Sequence, residues 1–174
     1  MPRLGPRLVV VACVLALAGC GHYRVVHASE GFGPVKRVAV ETLVNRSFEP
    51  GVDLLMTDAL RREMRRRGGI RVVDDPSQAD LVLSGNVSDV ITNTRSLSST
   101  VFALEYQVEM RLALRAHRTD GADVTLDPAA LRDWEVYLTS ADVEAERRNR
   151  EEALRRLASV LASRVGDSLA EKVK

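Results

Sequence analysis

The feature that most constrains the fold is an alternation of apolar and polar side chains that runs from Val101 to His117. Successive side chains of a β-strand point to opposite faces of its sheet, whereas a helix repeats every ~3.6 residues. A helix would mix the two sets of side chains, so the segment predicts one long strand with a buried and a solvated face. The predicted buried face comprises Phe102, Leu104, Tyr106, Val108, Met110, Leu112, Leu114 and Ala116, and the polar face comprises Glu105, Gln107, Glu109, Arg111 and Arg115.

A strand, a helix and a second strand precede this segment. Residues 36–43 alternate as a half-buried strand, and residues 70–73 form a short apolar run. Between them, Pro50 suits a first helical position and Gly68-Gly69 suits a helix end. The predicted helical stripe comprises Val52, Leu55, Met56, Ala59, Leu60 and Met64. Because the connections are short, we expect a βαβ unit with parallel strands and a right-handed crossover.

Two more strands and a long helix complete the pattern. Residues 80–93 alternate, with Gly85 on their apolar side at a point where a helix could approach closely. A polar hairpin loop is expected over residues 94–100, a loop over 118–127, and a strand over 132–138. The predicted inward side chains of these strands are Leu81, Leu83, Val87, Ile91, Trp134, Val136 and Leu138. A helix is predicted over residues 142–172, with an apolar stripe of Leu154, Leu157, Ala158, Leu161, Val165 and Leu169. Its Glu-Arg-rich start over residues 144–152 is expected to be solvated and joined by salt bridges.

We therefore predict an α/β (α+β) two-layer sandwich. Its sheet is mixed and largely antiparallel, and two helices pack on one face and cover the apolar side of every strand. The other face of the sheet is expected to be polar and to meet water or a water-lined partner. Its predicted residues are Arg37, Glu41, Ser84, Asn86, Ser88, Glu105, Gln107, Glu109, Arg111, Glu135 and Tyr137.

The N-terminus has the features of an export signal. Arg3 and Arg7 precede an apolar run over residues 8–17, which is too short to cross a bilayer but suits a secretory signal. Leu17-Ala18-Gly19-Cys20 resembles the lipobox of bacterial lipoproteins, in which the cysteine is acylated and becomes the first residue. We expect a signal peptide over residues 1–19, a lipid anchor and tether over 20–35, and one periplasmic domain over 36–174. Cys13 leaves with the signal, so lipidated Cys20 is the only cysteine of the mature chain and no disulfide forms within it.

No motif in the chain indicates catalysis, a cofactor or a metal. The three histidines, His22, His27 and His117, do not have the spacing of metal ligands, and each is expected at the surface. There is no phosphate-binding loop and no nucleophile elbow, and no pair of carboxylates is singled out by its spacing. The formal net charge of +1 gives no overall attraction to nucleic acid. These observations favour a binding protein over an enzyme.

Arginines are the candidate ligand-binding residues. A cluster over residues 61–67 contains five arginines at the end of the first predicted helix. It could hold phosphates, or it could simply place solvated cations at the negative end of the helix dipole, which is the interpretation we favour. Arg95 is expected at the tip of the hairpin loop.

The order of motifs resembles LptE, a family of lipopolysaccharide-assembly lipoproteins. Cys20-Gly21-His22-Tyr23 is similar to the Cys-Gly-Tyr-His opening of that family, with the last two residues exchanged. The similarity continues through VETLVNRSFEPGVDLLMTDALRREM, then ADLVLSGNV, then the long strand and a C-terminal helix of mixed charge.

The resemblance implies a plug inside the LptD β-barrel of the outer membrane. Such a protein is anchored in the inner leaflet through acyl chains on Cys20, helps the barrel to fold, and binds lipopolysaccharide on its way to the outer leaflet. Arg95 and Arg115 would then pair with lipopolysaccharide phosphates. The βαβ start also resembles TolB-like and CsgG-like periplasmic proteins, which would make the chain part of another envelope machine without a lipopolysaccharide ligand.

Overall fold

A computed structural model describes residues 32–97 and 103–173 of the chain. The signal peptide, Cys20, His22, His27 and the tip of the predicted hairpin loop lie outside the described residues. The described part contains two α-helices, α1 (Val52–Arg66) and α2 (Val143–Lys172). Its strands are β1 (Arg37–Val40), β2 (Val44–Asn45), β3 (Arg71–Val73), β4 (Leu81–Leu97), β5 (Ala103–Arg118), β6 (Asp123–Val124) and β7 (Arg132–Leu138). Short 3₁₀ helices cover Pro76–Gln78 and Pro128–Leu131.

The strands form one mixed sheet in the order β3-β1-β4-β5-β6, in which β2 also pairs with β4 and β7 also pairs with β5. Strand β1 is parallel to β3, as the βαβ pattern predicted, and it is also parallel to β4. The β4–β5, β5–β6 and β5–β7 pairs are antiparallel. The predicted α+β architecture is therefore confirmed, and the two-residue strands β2 and β6 are additional to the prediction.

Both helices bury the stripes that their sequences predicted. In α1 the buried apolar residues include Met56, Leu60 and Met64, and in α2 all six residues of the predicted stripe are buried. They share one core with the inward residues of the sheet, among them Leu83 and Met110. Helix α1 begins after Gly51, two residues later than Pro50 suggested, because Gly51 takes the left-handed conformation with φ +73°.

The core extends beyond the predicted start of the domain. Phe32 and Val35, which lie within the predicted tether, are fully buried, and the amide of Val35 donates to the carbonyl of Phe32 over 2.9 Å. Arg67 lies over the Phe32 ring at 6.0 Å from its centroid. This cation–π contact lies at the end of the core where α1 terminates.

Candidate functional site: the open face of the sheet

The face of the sheet that the helices do not cover is the candidate interaction surface, and we call it the open face. Its most extended part is the hairpin half, defined as Asp89–Leu97 of β4, Ala103–Arg111 of β5 and all of β7. In this half Glu109 lies between Ile91 of β4 and Trp134 of β7. The register places on the open face of β5 the polar residues Glu105, Gln107, Glu109 and Arg111, as predicted from the alternation.

The two faces of β7 are the reverse of those predicted. Trp134 and Leu138 were expected inward, yet they are 48% and 61% exposed, and Tyr137, which was expected outward, is buried. The side chains of β7 that face the helices are those of Asp133, Glu135 and Tyr137. The two carboxylates can face this way because each pairs with an arginine of α2. Arg164 pairs with Asp133 over 2.9 Å, and Arg156 with Glu135 over 3.4 Å.

An irregularity in β4 explains a second reversal. Val87 pairs with Leu112 and Asp89 pairs with Arg111, so Ser88 is an extra residue on its strand. Beyond such a bulge, the side chains of opposite parity face the helices. Ile91, which was predicted to share a face with Leu81 and Leu83, therefore lies on the open face in the row of Glu109 and Trp134.

The two arginines proposed as phosphate ligands lie on strands and are far apart. Arg95 was expected in a loop, but β4 continues to Leu97, and Arg95 lies in it at a second register shift. Its guanidinium carbon is 5.1 Å from the centroid of the Trp134 ring. Arg115 is exposed on β5, opposite Ser84. Arg115 lies nine positions further along β5 than Tyr106, the partner of Thr94. This corresponds to ~30 Å along the strand. One phosphate cannot bridge the two.

The arginine cluster over residues 61–67 has a larger structural role than predicted. Arg61 donates to the carbonyl of Val40 over 2.8 Å and so ties α1 to the end of β1. Arg67 pairs with buried Glu63 and reaches α2, where it donates to the Ser163 carbonyl and to Asp167. The expectation of solvated side chains is therefore wrong for these two residues, although Arg62 and Arg65 are exposed.

The sequence did not single out Arg150, which connects α2 to β4, to β7 and to the segment before α1. The Glu-Arg-rich start of that helix was predicted to be solvated, and most of its ion pairs do lie at the surface. Arg150 instead reaches inward and donates to Thr92 of β4 over 2.6 Å, to the Tyr137 hydroxyl of β7 over 3.3 Å, and to Glu49 before α1. Hydrogen bonds to Glu49 and Tyr137 raise the pKa of Arg150 although burial opposes this. No local sequence signal distinguishes this arginine from its neighbours.

The described residues offer surfaces and shallow hollows for binding. Among residues 32–97 and 103–173, no group of three or more histidine, cysteine or acidic residues could hold a metal ion. No helix in the described part of the chain is long and apolar enough to cross a membrane. The hollows include one of 470 Å³ between the start of α1 and α2, and one of 360 Å³ beside Trp134. Both lie open at the surface, so the structure suits recognition of a partner or a ligand.

The fold and its open face thus define a small α+β binding domain with a two-helix layer and a largely polar sheet face. The family model of the lipopolysaccharide-assembly proteins LptE matches residues 35–169, which include every described helix and strand except the last three residues of α2. The chain belongs to the LptE family. This is a family of lipopolysaccharide-assembly lipoproteins without enzymatic activity. The first of the two resemblances noted in the sequence is therefore confirmed.

Solved structures of bacterial lipoproteins have the same fold. Rare lipoprotein B from Shewanella oneidensis has a TM-score of 0.56 at 16% identity, covering 78% of this chain and 95% of that one. Lipoprotein B from Nitrosomonas europaea has a TM-score of 0.55 at 16% identity, covering 76% and 81%. A lipoprotein from Caulobacter crescentus has a TM-score of 0.52 at 15% identity, covering 84% and 95%. No curated protein sequence matches the chain.

Proposed function

We propose that the protein is an outer-membrane lipoprotein that acts as plug and assembly partner of an LptD-like β-barrel and binds lipopolysaccharide during its transport to the outer leaflet. The observation that carries the proposal is the family match over residues 35–169. The lipobox adds to it, because acylation of Cys20 would hold the domain at the periplasmic side of the outer membrane. Several acyl chains anchor a protein firmly, whereas a single chain binds only marginally.

The open face supports a place inside a barrel. The lumen of a large outer-membrane barrel is polar. Strand β5 presents Glu105, Gln107, Glu109 and Arg111 on the open face, so the part of the face along β5 can meet a polar wall. The exposed Trp134 and Leu138 lie at one edge of the same face. This edge would be the place for contacts with less polar groups.

Arg95 and Arg115 are the proposed ligands of lipopolysaccharide phosphates. A guanidinium that stacks on an aromatic face keeps its N–H donors at its edges, so Arg95 can lie over Trp134 and still bind an anion. Because the two arginines are ~30 Å apart along the sheet, each would contact a separate anionic group.

A pull-down from outer membranes tests the proposal. The lipidated protein, tagged after Lys174, is extracted in mild detergent, and mass spectrometry and a lipid stain identify what co-elutes. We expect a stoichiometric large β-barrel together with lipopolysaccharide. Recovery of another envelope complex without lipopolysaccharide would overturn the assignment. A Cys20→Ala variant, followed by mass spectrometry of the N-terminal peptide, tests the anchor in the same preparation.

Charge reversal tests the two arginines separately. Arg95→Glu and Arg115→Glu are each expected to reduce the lipopolysaccharide that co-elutes while the barrel is retained. Arg62→Glu is the matched control, because Arg62 is exposed on α1, on the layer opposite the open face. Unchanged lipopolysaccharide in both test variants would remove these residues from the binding site.

A further inference from the structure

Trp134 is the only tryptophan of the chain, and it lies on the open face at an edge of the sheet. It is 48% exposed, although tryptophan is among the residues that bury most apolar area when they are placed in a core. Leu138, four residues further along the same strand, is also exposed. The two exposed side chains share one face of an otherwise polar sheet, and apolar patches with a polar rim are typical of interaction surfaces.

The Trp134 ring is held in place by its surroundings. Arg95 reaches across from β4, and its guanidinium lies over the ring at 5.1 Å from the centroid. Glu109 lies directly across the strand pair from Trp134. The contact with Arg95 favours one orientation of the ring, so the indole is a partly ordered platform that loses less entropy on binding than a freely rotating side chain would.

A hollow of 360 Å³ opens beside this platform. Its lining residues are Glu109, Ala129, Arg132, Asp133, Trp134 and Arg164. This volume lies at the lower end of the roughly 300–1,000 Å³ that is usual for small-molecule sites. The hollow thus has room for one ring of a ligand and not for a long chain.

Fixed ion pairs supply hydrogen-bonding groups around the hollow. Asp133 accepts from Arg164 over 2.9 Å, and Glu109 accepts from Arg111 over 2.7 Å. A carboxylate has about four lone-pair positions and a guanidinium has five N–H donors, so both pairs retain unused acceptors and donors. Because Glu109 and Asp133 offset the charge of Arg132 and Arg164, the hollow is not a strong anion site. Its polar lining also makes it a poor site for an acyl chain.

We propose that this hollow binds one pyranose ring of the oligosaccharide part of lipopolysaccharide, an inference that rests on the proposed function. The C–H face of a sugar ring would pack against the exposed indole, and its hydroxyl groups would donate to Glu109 and accept from Arg132, which lie on the same face as the ring. This contact is distinct from a phosphate contact at Arg95. It requires an aromatic platform with neutral overall charge around it, which is the arrangement at Trp134.

The single tryptophan gives a direct assay. Its emission is recorded while the purified chain is titrated with lipopolysaccharide oligosaccharide from which fatty acids and phosphates have been removed. We expect a saturable change in Trp134 emission and weaker acrylamide quenching. In calorimetry, Trp134→Ala and Glu109→Gln should each weaken binding at least about tenfold. Leu138→Ser is the matched control, since Leu138 is exposed on the same strand but does not line the hollow, and it should leave the affinity unchanged.

Three results would overturn the inference. The first is no change in emission and no heat up to about 10 mM oligosaccharide. The second is a response to inorganic phosphate or to phosphorylated lipid A alone, which would assign the signal to Arg95 as an anion ligand. The third is loss of binding in Leu138→Ser as large as in Trp134→Ala. If the pull-down still recovers barrel and lipopolysaccharide, the failure concerns the sugar site and not the proposed function.

Discussion

Asp80 links the start of β4 to the start of β1, and its substitution tests how much this link stabilises the fold. Its carboxylate, just before β4, accepts from the backbone amides of Lys36 at 3.0 Å and Arg37 at 2.8 Å. It also accepts from the Arg37 guanidinium, at 3.2 Å from Nε and 2.7 Å from Nη2. The Arg37 side chain and then these two amides lower the pKa of Asp80 to about 2. All four bonds favour the charged carboxylate.

The sign and size of the effect follow from this lowered pKa. The unfolded chain binds a proton at Asp80 near pH 3.8, whereas the folded chain does so only near pH 2. The stabilisation is therefore complete above about pH 4–5 and is lost as the pH falls through 2. The full shift corresponds to about 2 kcal/mol. Because the Asp80 side chain is 29% exposed and its Arg37 partner 50%, solvent screening reduces the expected contribution to about 1 kcal/mol.

The perturbation is Asp80→Asn, and the assay is urea unfolding followed by circular dichroism between about pH 7 and pH 2. We expect the variant to be less stable by about 1 kcal/mol at neutral pH and to converge with the wild type near pH 2. Asp74→Asn, an exposed change in the same loop, is the control and should leave the stability at neutral pH unchanged. A difference between wild type and Asp80→Asn that is as large at pH 2 as at pH 7 would refute the ionic origin of the stabilisation.

Three further substitutions test individual contacts by the same unfolding assay. Gly85→Ala should cost more than about 2 kcal/mol, because φ is +146° and a Cβ would lie 2.1 Å from the Ala113 carbonyl oxygen; a neutral result would mean that β4 and β5 separate easily here. Thr57→Val should cost about 1–3 kcal/mol, because the buried hydroxyl accepts from the Leu43 amide over 3.0 Å, and Thr57→Ser should recover most of the loss. Arg150→Met should cost about 1–3 kcal/mol and speed amide exchange in β7, and unchanged exchange would contradict its role in joining β7 to α2.

The elements of the fold were predictable because their patterns are local. The long alternation that ends at His117 and the apolar stripes of α1 and α2 depend only on periodicity, and the structure confirms them. The parallel pairing of β1 and β3 follows from a short crossover. Gly85 was recognised as a point of close approach, but the approaching group is the backbone of β5 and not a helix, which its spacing could not reveal.

The composition of the open face was predicted less well because it depends on contacts between distant residues. The charged side chains of β7 face the helix layer only because Arg156 and Arg164, which follow much later in the chain, neutralise them. Trp134 was assigned to the core on hydrophobicity alone, and its partner Arg95 was assigned to a loop. Arg150 was placed among solvated charges. The errors at β7 and Arg150 arise from long-range ion pairs and hydrogen bonds that no local pattern encodes, and the error at Arg95 arises because β4 extends through the expected loop to Leu97.

The extra residue at Ser88 also affects how relatives of this protein should be compared. Residues 89–94 obey the opposite polarity rule to residues 81–87, since the bulge exchanges the faces of the strand. A relative that lacks this residue can keep the same sheet only if the alternation of its following segment is inverted. Alignments by residue identity will therefore shift apolar positions against polar ones across this point. Among chains that diverge to 16% identity, a length change at position 88 should be accompanied by exchanged polarity up to Thr94, after which the register shifts again.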